Sequence, residues 1–359
     1  MDGQEIAEPA SNILPPFRPH AASVREIFER IDREIRASND LALQRTFLLA
    51  GRPVRFLVRN AALAEVLLAP FEHLPASSAD PELTVTATDS SLRLPPATDG
   101  FDSLRSSEDG RYVLHSPASS GAQWCFDRET SRLVGATGPA SSQSLLERSK
   151  PLHPLLEFWL GQGRFQIIHA AMAACDGHGV LFAGFNGAGK STCALCCLRG
   201  GLDFLGDDRI ALETRAEGPA IGHSLYCTTW LTPDHLARFP DLAPHGIAGD
   251  YPREPKHLLM VSRLFPRRFP ASAPIRFVLL PHVTGAATTR LRPATRGEAL
   301  RCLAPGCLLT GPRLGQEGLS SLARLIQHAE CRWIELGSDL DSVSQVVQAL
   351  VRGRENIRA

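Results

Sequence analysis

The sequence lacks any apolar run of the about 18 residues that a membrane-spanning helix needs. It also lacks net charge, because Lys+Arg and Asp+Glu are both 38. A balanced chain gives no electrostatic reason to expect nucleic acid or a membrane surface as a partner. Residues 1–20 lack the basic and apolar stretches of a signal peptide, and their recurring prolines predict a flexible arm. Together these absences predict a cytoplasmic protein.

The number and spacing of the cysteines predict neither a disulfide framework nor a zinc site. The nine cysteines are an odd number, which fits reduced thiols better than paired ones. Cys193, Cys196 and Cys197 contain a CxxC spacing, but no second CxxC or nearby histidine pair completes a zinc site. Because they fall in a predicted helix, we interpret them as small buried apolar residues.

The 359 residues are enough for two domains of ordinary size. Residues 21–145 predict an α+β domain without a chemical motif, and the sequence assigns it no role. Residues 146–359 predict an α/β domain, because "FQIIHAAMAAC", "GHGVLFAGF", an apolar helix and "LDFLG" indicate a strand, strand, helix, strand series. Such a series begins a nucleotide-binding unit.

Local patterns predict several further elements. Apolar residues at helical spacing predict a helix over residues 22–37, and Asn60 is a suitable N-cap for the next helix. Two strands are predicted on either side of a turn at residues 51–53, and a buried strand at "PIRFVLLPHV". Thr295 and Glu298 have the spacing of a capping box.

The strongest motif is a glycine-rich loop between an apolar strand and an apolar helix. Residues 184–191, "GFNGAGKS", fit G-x-x-x-x-G-K-[ST] at every fixed position. The glycines let several N–H groups point at one anion, and the helix adds the positive end of its dipole. Lys190 is expected to reach the β- and γ-phosphates, and Ser191, or Thr192 in its place, to bind Mg²⁺. The predicted nucleotide-binding residues here are Gly184, Asn186, Gly187, Ala188, Gly189, Lys190, Ser191 and Thr192.

Asp207 and Asp208 follow the next predicted strand after that helix. Carboxylates there would lie beside the phosphate loop, where one could position Mg²⁺ and the other accept a proton. The later strand at residues 276–283 ends without a carboxylate and no guanine-reading segment is present, so a motor or a switch GTPase is not favoured. A solvated turn is the alternative for the two acids. His169 is expected at the end of a strand, where a satisfied core histidine is the alternative.

The stretches "IIHAA", "GVLFAGFNGAGKST" and "GGLDFLGDDR" together resemble the catalytic domain of HPr kinase/phosphorylase and its HprK-related kinases. The resemblance covers roughly residues 150–350 and implies a P-loop α/β domain similar to the phosphoenolpyruvate carboxykinase core. It further implies that Asp207 is the general base for a serine hydroxyl, supported by Asp208 and His169, with Ser191 and Asp208 as metal ligands. The family has an acid where Thr192 stands. Lys256 is the candidate for the family's later basic signature, with an exposed loop lysine as the alternative.

The sequence therefore predicts an ATP- and Mg²⁺-dependent kinase that transfers the γ-phosphoryl group to a serine of a protein or peptide. Two alternatives use the same nucleotide site: a kinase acting on a small molecule, and a nucleotide-sensing interaction protein with slow hydrolysis. The sequence leaves open whether the chain forms a homo-oligomer.

Overall fold

The structure, a computed structural model, describes residues 23–37, 43–90, 103–117, 119–251, 254–308 and 316–354. The predicted arm over residues 1–20 lies outside these ranges. The described chain is a mixed α/β fold. Its helices are α1 (Val24–Ala37), α2 (Ala61–Leu68), α3 (Leu145–Ser149), α4 (His153–Gly161), α5 (Lys190–Arg199), α6 (Pro233–Ala237), α7 (Val261–Leu264), α8 (Arg296–Leu308), α9 (Gln316–His328) and α10 (Asp341–Val351).

The strands of the described residues form three sheets. The first contains β1 (Leu43–Leu49), β2 (Arg52–Val58), β3 (Leu83–Asp89), β4 (Ser103–Ser106), β5 (Tyr112–Ser116), β6 (Gln123–Asp127) and β7 (Arg132–Thr137). The central sheet contains β8 (Phe165–Ile168), β9 (Ala171–Cys175), β10 (His178–Phe182), β11 (Asp203–Gly206), β12 (Ile210–Glu213), β13 (Ile221–His223), β17 (Ser272–Val283), β18 (Arg290–Pro293) and β19 (Glu330–Leu336). A small sheet contains β14 (Thr228–Leu231), β15 (Ile247–Tyr251) and β16 (Glu254–Met260).

The first sheet has the strand order β1-β2-β3-β7-β6-β5-β4, and α1 covers one of its faces. The apolar residues that predicted α1 are all buried, because they share one side of the helix and pack against β5, β6 and β7. The predicted N-cap is present, since Asn60 Oδ1 accepts a hydrogen bond from Leu63 N at 3.0 Å. The turn between β1 and β2 is tighter than predicted and uses Ala50 and Gly51, both with positive φ.

The central sheet has the order β11-β9-β10-β17-β13-β12-β8, and β19 pairs with β17 and β18. The strands β10, β17 and β19 are parallel neighbours. The prediction of one strand over "FQIIHAAMAAC" is wrong, because β8 pairs with β12 at one edge while β9 lies between β10 and β11. The stretch is buried almost throughout, so no change in periodicity marks the break. His169 lies in this break.

Helices cover both faces of the central sheet. On one face α5 and α10 pack in a cluster that includes Cys193, Cys196 and Cys197. Burial raises the pKa of these thiols, and the eight cysteines that the structure describes are free, so the prediction of buried apolar residues is confirmed. On the other face, α8 begins with the predicted capping box: Thr295 Oγ1 accepts from Glu298 N at 3.2 Å, and the Glu298 side chain accepts from Thr295 N at 2.8 Å.

A continuous apolar cluster crosses the predicted domain boundary at residue 145. It joins residues of the first sheet, such as Phe56, to Leu156 on α4 and to Tyr226 before β14. The Phe71 and Tyr226 ring centroids are 5.4 Å apart. Within the described ranges, no helix combines the length and apolar character that crossing a bilayer requires. Thr229 on β14 of the small sheet contacts Asp207, which follows β11 of the central sheet.

Candidate active site

The glycine loop, residues 184–189, joins β10 to α5. Gly187 and Gly189 have φ values of 79° and 107°, in the left-handed region that favours glycine. A Cβ on Gly189 would lie 2.5 Å from Leu336 Cδ1, whereas a Cβ on Gly187 would meet nothing within 4 Å. Both glycines are therefore required by conformation, and at Gly189 the end of the Leu336 side chain would also have to move. The loop lies where the parallel strands β10 and β17 end, which is the edge where open α/β sheets bind ligands.

Lys190 begins α5 and folds back onto the loop. Its Nζ donates to the carbonyl oxygens of Gly184 at 2.9 Å and Phe185 at 3.1 Å. The residue is 6% exposed, and burial lowers its pKa, against the opposing charges of Asp207 and Asp208. The loop carbonyls thus fix the position of the ammonium group at the start of the helix.

Asp207 follows β11 and is joined to α5 by its carboxylate. Oδ1 accepts from Ser191 Oγ at 2.9 Å, and Oδ2 accepts from Thr229 Oγ1 on β14 at 2.6 Å. The residue is 5% exposed. Burial raises its pKa and the neighbouring Asp208 raises it further, although the two hydroxyl hydrogen bonds and Lys190 act in the opposite direction. Asp207 is a buried, oriented carboxylate and does not lie in a solvated turn.

Asp208 has the opposite electrostatic character. It has a φ of 71°, and its Oδ1 lies 2.9 Å from His169 Nε2 and 3.0 Å from Arg209 Nη1, while Oδ2 forms an ion pair with Lys150. Burial alone would raise its pKa, but Lys150, Arg209 and His169 hold it well below the ordinary value. Two adjacent carboxylates therefore have pKa values pushed apart, a pattern typical of sites that assign them different roles.

These groups line one cleft of about 590 Å³, which we call the central cleft. The whole sequence contains three lysines, Lys150, Lys190 and Lys256, and all three line this cleft. Positive charge elsewhere on the chain comes from arginine. Among the described residues, no group of three or more His, Cys, Asp or Glu side chains is arranged to hold a metal ion. The predicted site residues that line the cleft are His169, Asn186, Gly187, Gly189, Lys190, Ser191, Thr192, Asp207, Asp208 and Lys256.

Two predicted residues serve the loop rather than the cleft wall. Gly184 supplies a carbonyl to Lys190, and Ala188 N donates to Phe185 O at 3.2 Å across the turn. The two predicted metal ligands, Ser191 and Asp208, are not hydrogen-bonded to each other. The Ser191 hydroxyl donates to Asp207 instead.

Lys256 lies within strand β16, not in an exposed loop. Its Nζ is 2.9 Å from Glu254 Oε1, and its side chain is half-buried. Lys256 lines the central cleft from this strand. The alternative of an exposed loop lysine is therefore wrong.

Sequence reasoning missed Lys150, Thr229 and Arg209. Lys150 directly follows α3, 58 positions before the acid that it contacts, and Thr229 is 22 positions from Asp207. Neither lies in a motif, so no local signal could have found them. Arg209 follows Asp208 directly, and this position was the one available signal.

Comparison with known proteins found similarity among solved structures. No protein-family model matches the chain, and no curated protein matches it. Among solved structures, the chain is similar to the Hpr(Ser) kinase/phosphatase from Coxiella burnetii, with 14% sequence identity over 53% of this chain and 95% of that chain, and a TM-score of 0.27. A TM-score of this size carries no argument about the site.

Proposed function

We propose that the chain is an ATP- and Mg²⁺-dependent kinase that transfers the γ-phosphoryl group to a hydroxyl, with a serine of a protein or peptide as acceptor. One observation carries the proposal. The buried carboxylate of Asp207 is hydrogen-bonded to Ser191, the second residue of the helix that follows the glycine loop. An acid that could accept a proton thus lies beside a loop suited to bind phosphate.

The phosphate side of the site is the glycine loop with α5. Loop N–H groups and the positive end of a ten-residue helix attract an anion, and Lys190 adds a full charge at the same point. The motif G-x-x-x-x-G-K-[ST], which this loop satisfies, is the reason for preferring a nucleoside triphosphate over other anions. Asn186 and Lys256, which also line the central cleft, are proposed to contact the nucleotide.

Residues of the site fit Mg²⁺, which prefers oxygen ligands and keeps several waters. Ser191 is the residue that would hold the ion, because its hydroxyl already faces a carboxylate oxygen at 2.9 Å. Asp208 is the second predicted ligand, but its carboxylate is engaged by Lys150, Arg209 and His169. We therefore favour a role for Asp208 in setting the charge of the site. When bound, Mg²⁺ neutralises charge that develops on the transferred phosphoryl group.

Asp207 is the proposed general base. A raised pKa brings a carboxylate closer to the operating pH, which favours proton transfer from an alcohol. Ser191 and Thr229 fix both of its oxygens, so the group is oriented before an acceptor arrives. The low pKa of Asp208 makes it a poor base, and its contacts keep His169 and Arg209 beside the reacting groups.

The test compares two single cation deletions on the same helix. Lys190→Ala removes the loop ammonium, and Arg199→Ala removes a cation at the far end of α5, which pairs with Asp241. Each purified chain is titrated calorimetrically with a non-hydrolysable ATP analogue and Mg²⁺, then incubated with γ-labelled ATP, a serine peptide pool and a pool of small hydroxyl compounds. We expect label in peptides, with a loss of about 10²–10³-fold for Lys190→Ala and little change for Arg199→Ala.

The destination of the label decides between the alternatives. Label only in small compounds would indicate a small-molecule kinase, and slow release of free phosphate with no labelled acceptor would favour a nucleotide sensor. Absence of nucleotide binding, or equal behaviour of the two variants, would refute the proposal. The division at residue 145 and the cytoplasmic location stay predictions.

A further inference from the structure

A second cavity lies next to the central cleft, and we call it the side cavity. Its volume is about 230 Å³. Lys150 and Arg209 line both the side cavity and the central cleft. Because both residues also contact Asp208, the ion pairs of the site stand between the two spaces. Anything bound in the side cavity would therefore lie one side chain away from the proposed catalytic acids.

The walls of the side cavity are largely apolar and come from both sides of the predicted domain boundary. Leu63 and Val66 on α2, Trp124 on β6 and Leu146 on α3 contribute to them. Trp124 lies so close to β7 that a Cβ on Gly135 would overlap its indole ring. Gly135 therefore leaves the space that the Trp124 ring occupies in the cavity wall.

One buried polar atom of the cavity lining, His153 Nδ1, has no hydrogen-bond partner among the described residues. Arg209 Nε donates to His153 Nε2 at 2.7 Å, so the proton of the neutral ring is on Nδ1. Buried donors without a partner are rare in native proteins. Because this nitrogen has almost no accessible surface, it is not a contact for an occupant of the side cavity, and the apolar walls determine what fits there.

We propose that the side cavity is a specificity pocket for the acceptor and takes one apolar side chain next to the phosphorylated serine. The inference rests on the proposed kinase function. The volume is below the about 300–1,000 Å³ of pockets for drug-sized ligands, which fits a single side chain. It also gives the first sheet a role, since that sheet supplies part of the wall.

The test uses peptides of the form acetyl-Gly-X-Ser-Z-Gly-amide, in which X and Z are varied separately between Gly, Leu and Phe. For the wild-type chain, kcat/KM with Leu or Phe at one of the two positions should exceed that with Gly by about 10–200-fold. Val66→Trp and Leu146→Trp fill the cavity from two different helices and should bring this ratio close to one. Ala62→Trp adds the same ring to an exposed position of α2 and should keep the wild-type ratio.

Each outcome bears on one proposal. A wild-type chain without a flanking preference, or cavity-filled variants that keep it while melting like wild type, would overturn the pocket. Phosphorylation of small hydroxyl compounds but of no peptide in the set would also overturn it. Failure of the wild-type chain to bind the ATP analogue would instead refute the kinase proposal, because the side cavity is not part of the glycine loop.

Discussion

Replacing Asp207 with asparagine separates catalysis from stability at one buried position. Asparagine has nearly the same shape and keeps one acceptor oxygen for Ser191 or Thr229. The hydroxyl that meets the new amide group can rotate and accept from it. The substitution therefore removes the negative charge and the basicity of the group while the surrounding hydrogen bonds persist.

The expected effects on rate and on stability differ in sign. Loss of a general base lowers phosphoryl transfer by about 10²–10⁴-fold, which corresponds to about 2.7–5.4 kcal/mol in the activation barrier. Burial raises the pKa of Asp207, so the folded chain holds this proton more tightly than the unfolded chain does. Stability from this group is therefore lost as pH rises from the ordinary aspartate pKa of 3.8 through the folded pKa. Above that window Asp207→Asn should be at least as stable as wild type.

The assay combines transfer of labelled phosphate with urea unfolding at pH 5 and pH 7. Asp203→Asn is the matched control, because Asp203 is a partly exposed acid at the start of the same strand, β11, and is not part of the central cleft. Both variants should bind the ATP analogue, and only Asp207→Asn should lose transfer. Wild-type transfer by Asp207→Asn would refute the base assignment. A marked loss of stability at pH 7 would refute the reasoning about its buried charge.

Two further predictions concern a half-buried and a buried carboxylate near the site, Asp208 and Glu157. Asp208→Asn leaves Lys150, Arg209 and His169 without their anion, so unfolding at pH 7 should cost about 3 kcal/mol less than in wild type. Because the folded pKa of Asp208 is depressed, this difference should shrink as pH falls below 3.8, and a constant difference across that range would contradict it. Burial raises the pKa of Glu157 on α4 from 4.5 to about 7, so Glu157→Gln should gain up to about 3 kcal/mol above pH 7 and little at pH 4. Urea unfolding at both pH values measures this difference. Equal gains in the free energy of unfolding at the two pH values would contradict a raised pKa of Glu157.

Much of the local structure could be predicted from the sequence, because its causes are local. The spacing of Thr295 and Glu298 predicts a capping box, and the glycines of the loop predict positive φ, since both depend on neighbours within a few residues. The same spacing at Ser144 and Glu147 forms a second capping box at the start of α3.

The parts that could not be predicted depend on sheet pairing. The break at His169 lies in a stretch that is buried almost throughout, so only the pairing of β8 with β12 and of β9 with β10 reveals it. The positions of Lys150 and Thr229 follow from α3 and β14 meeting β11 in space. The position of Asp207 and Asp208 after a predicted strand marks them as candidates. Their different environments come from Lys150 and Thr229, which are distant in sequence.

The placement of the three lysines has a practical consequence. Apart from the α-amino group, every primary amine of the chain lines the central cleft. Acylating reagents that react with amines would leave arginine surfaces untouched and report on this one region, so the mass added to each lysine measures what shields it. For the same reason, enzymatic acetylation of any of the three lysines would remove a positive charge from the central cleft.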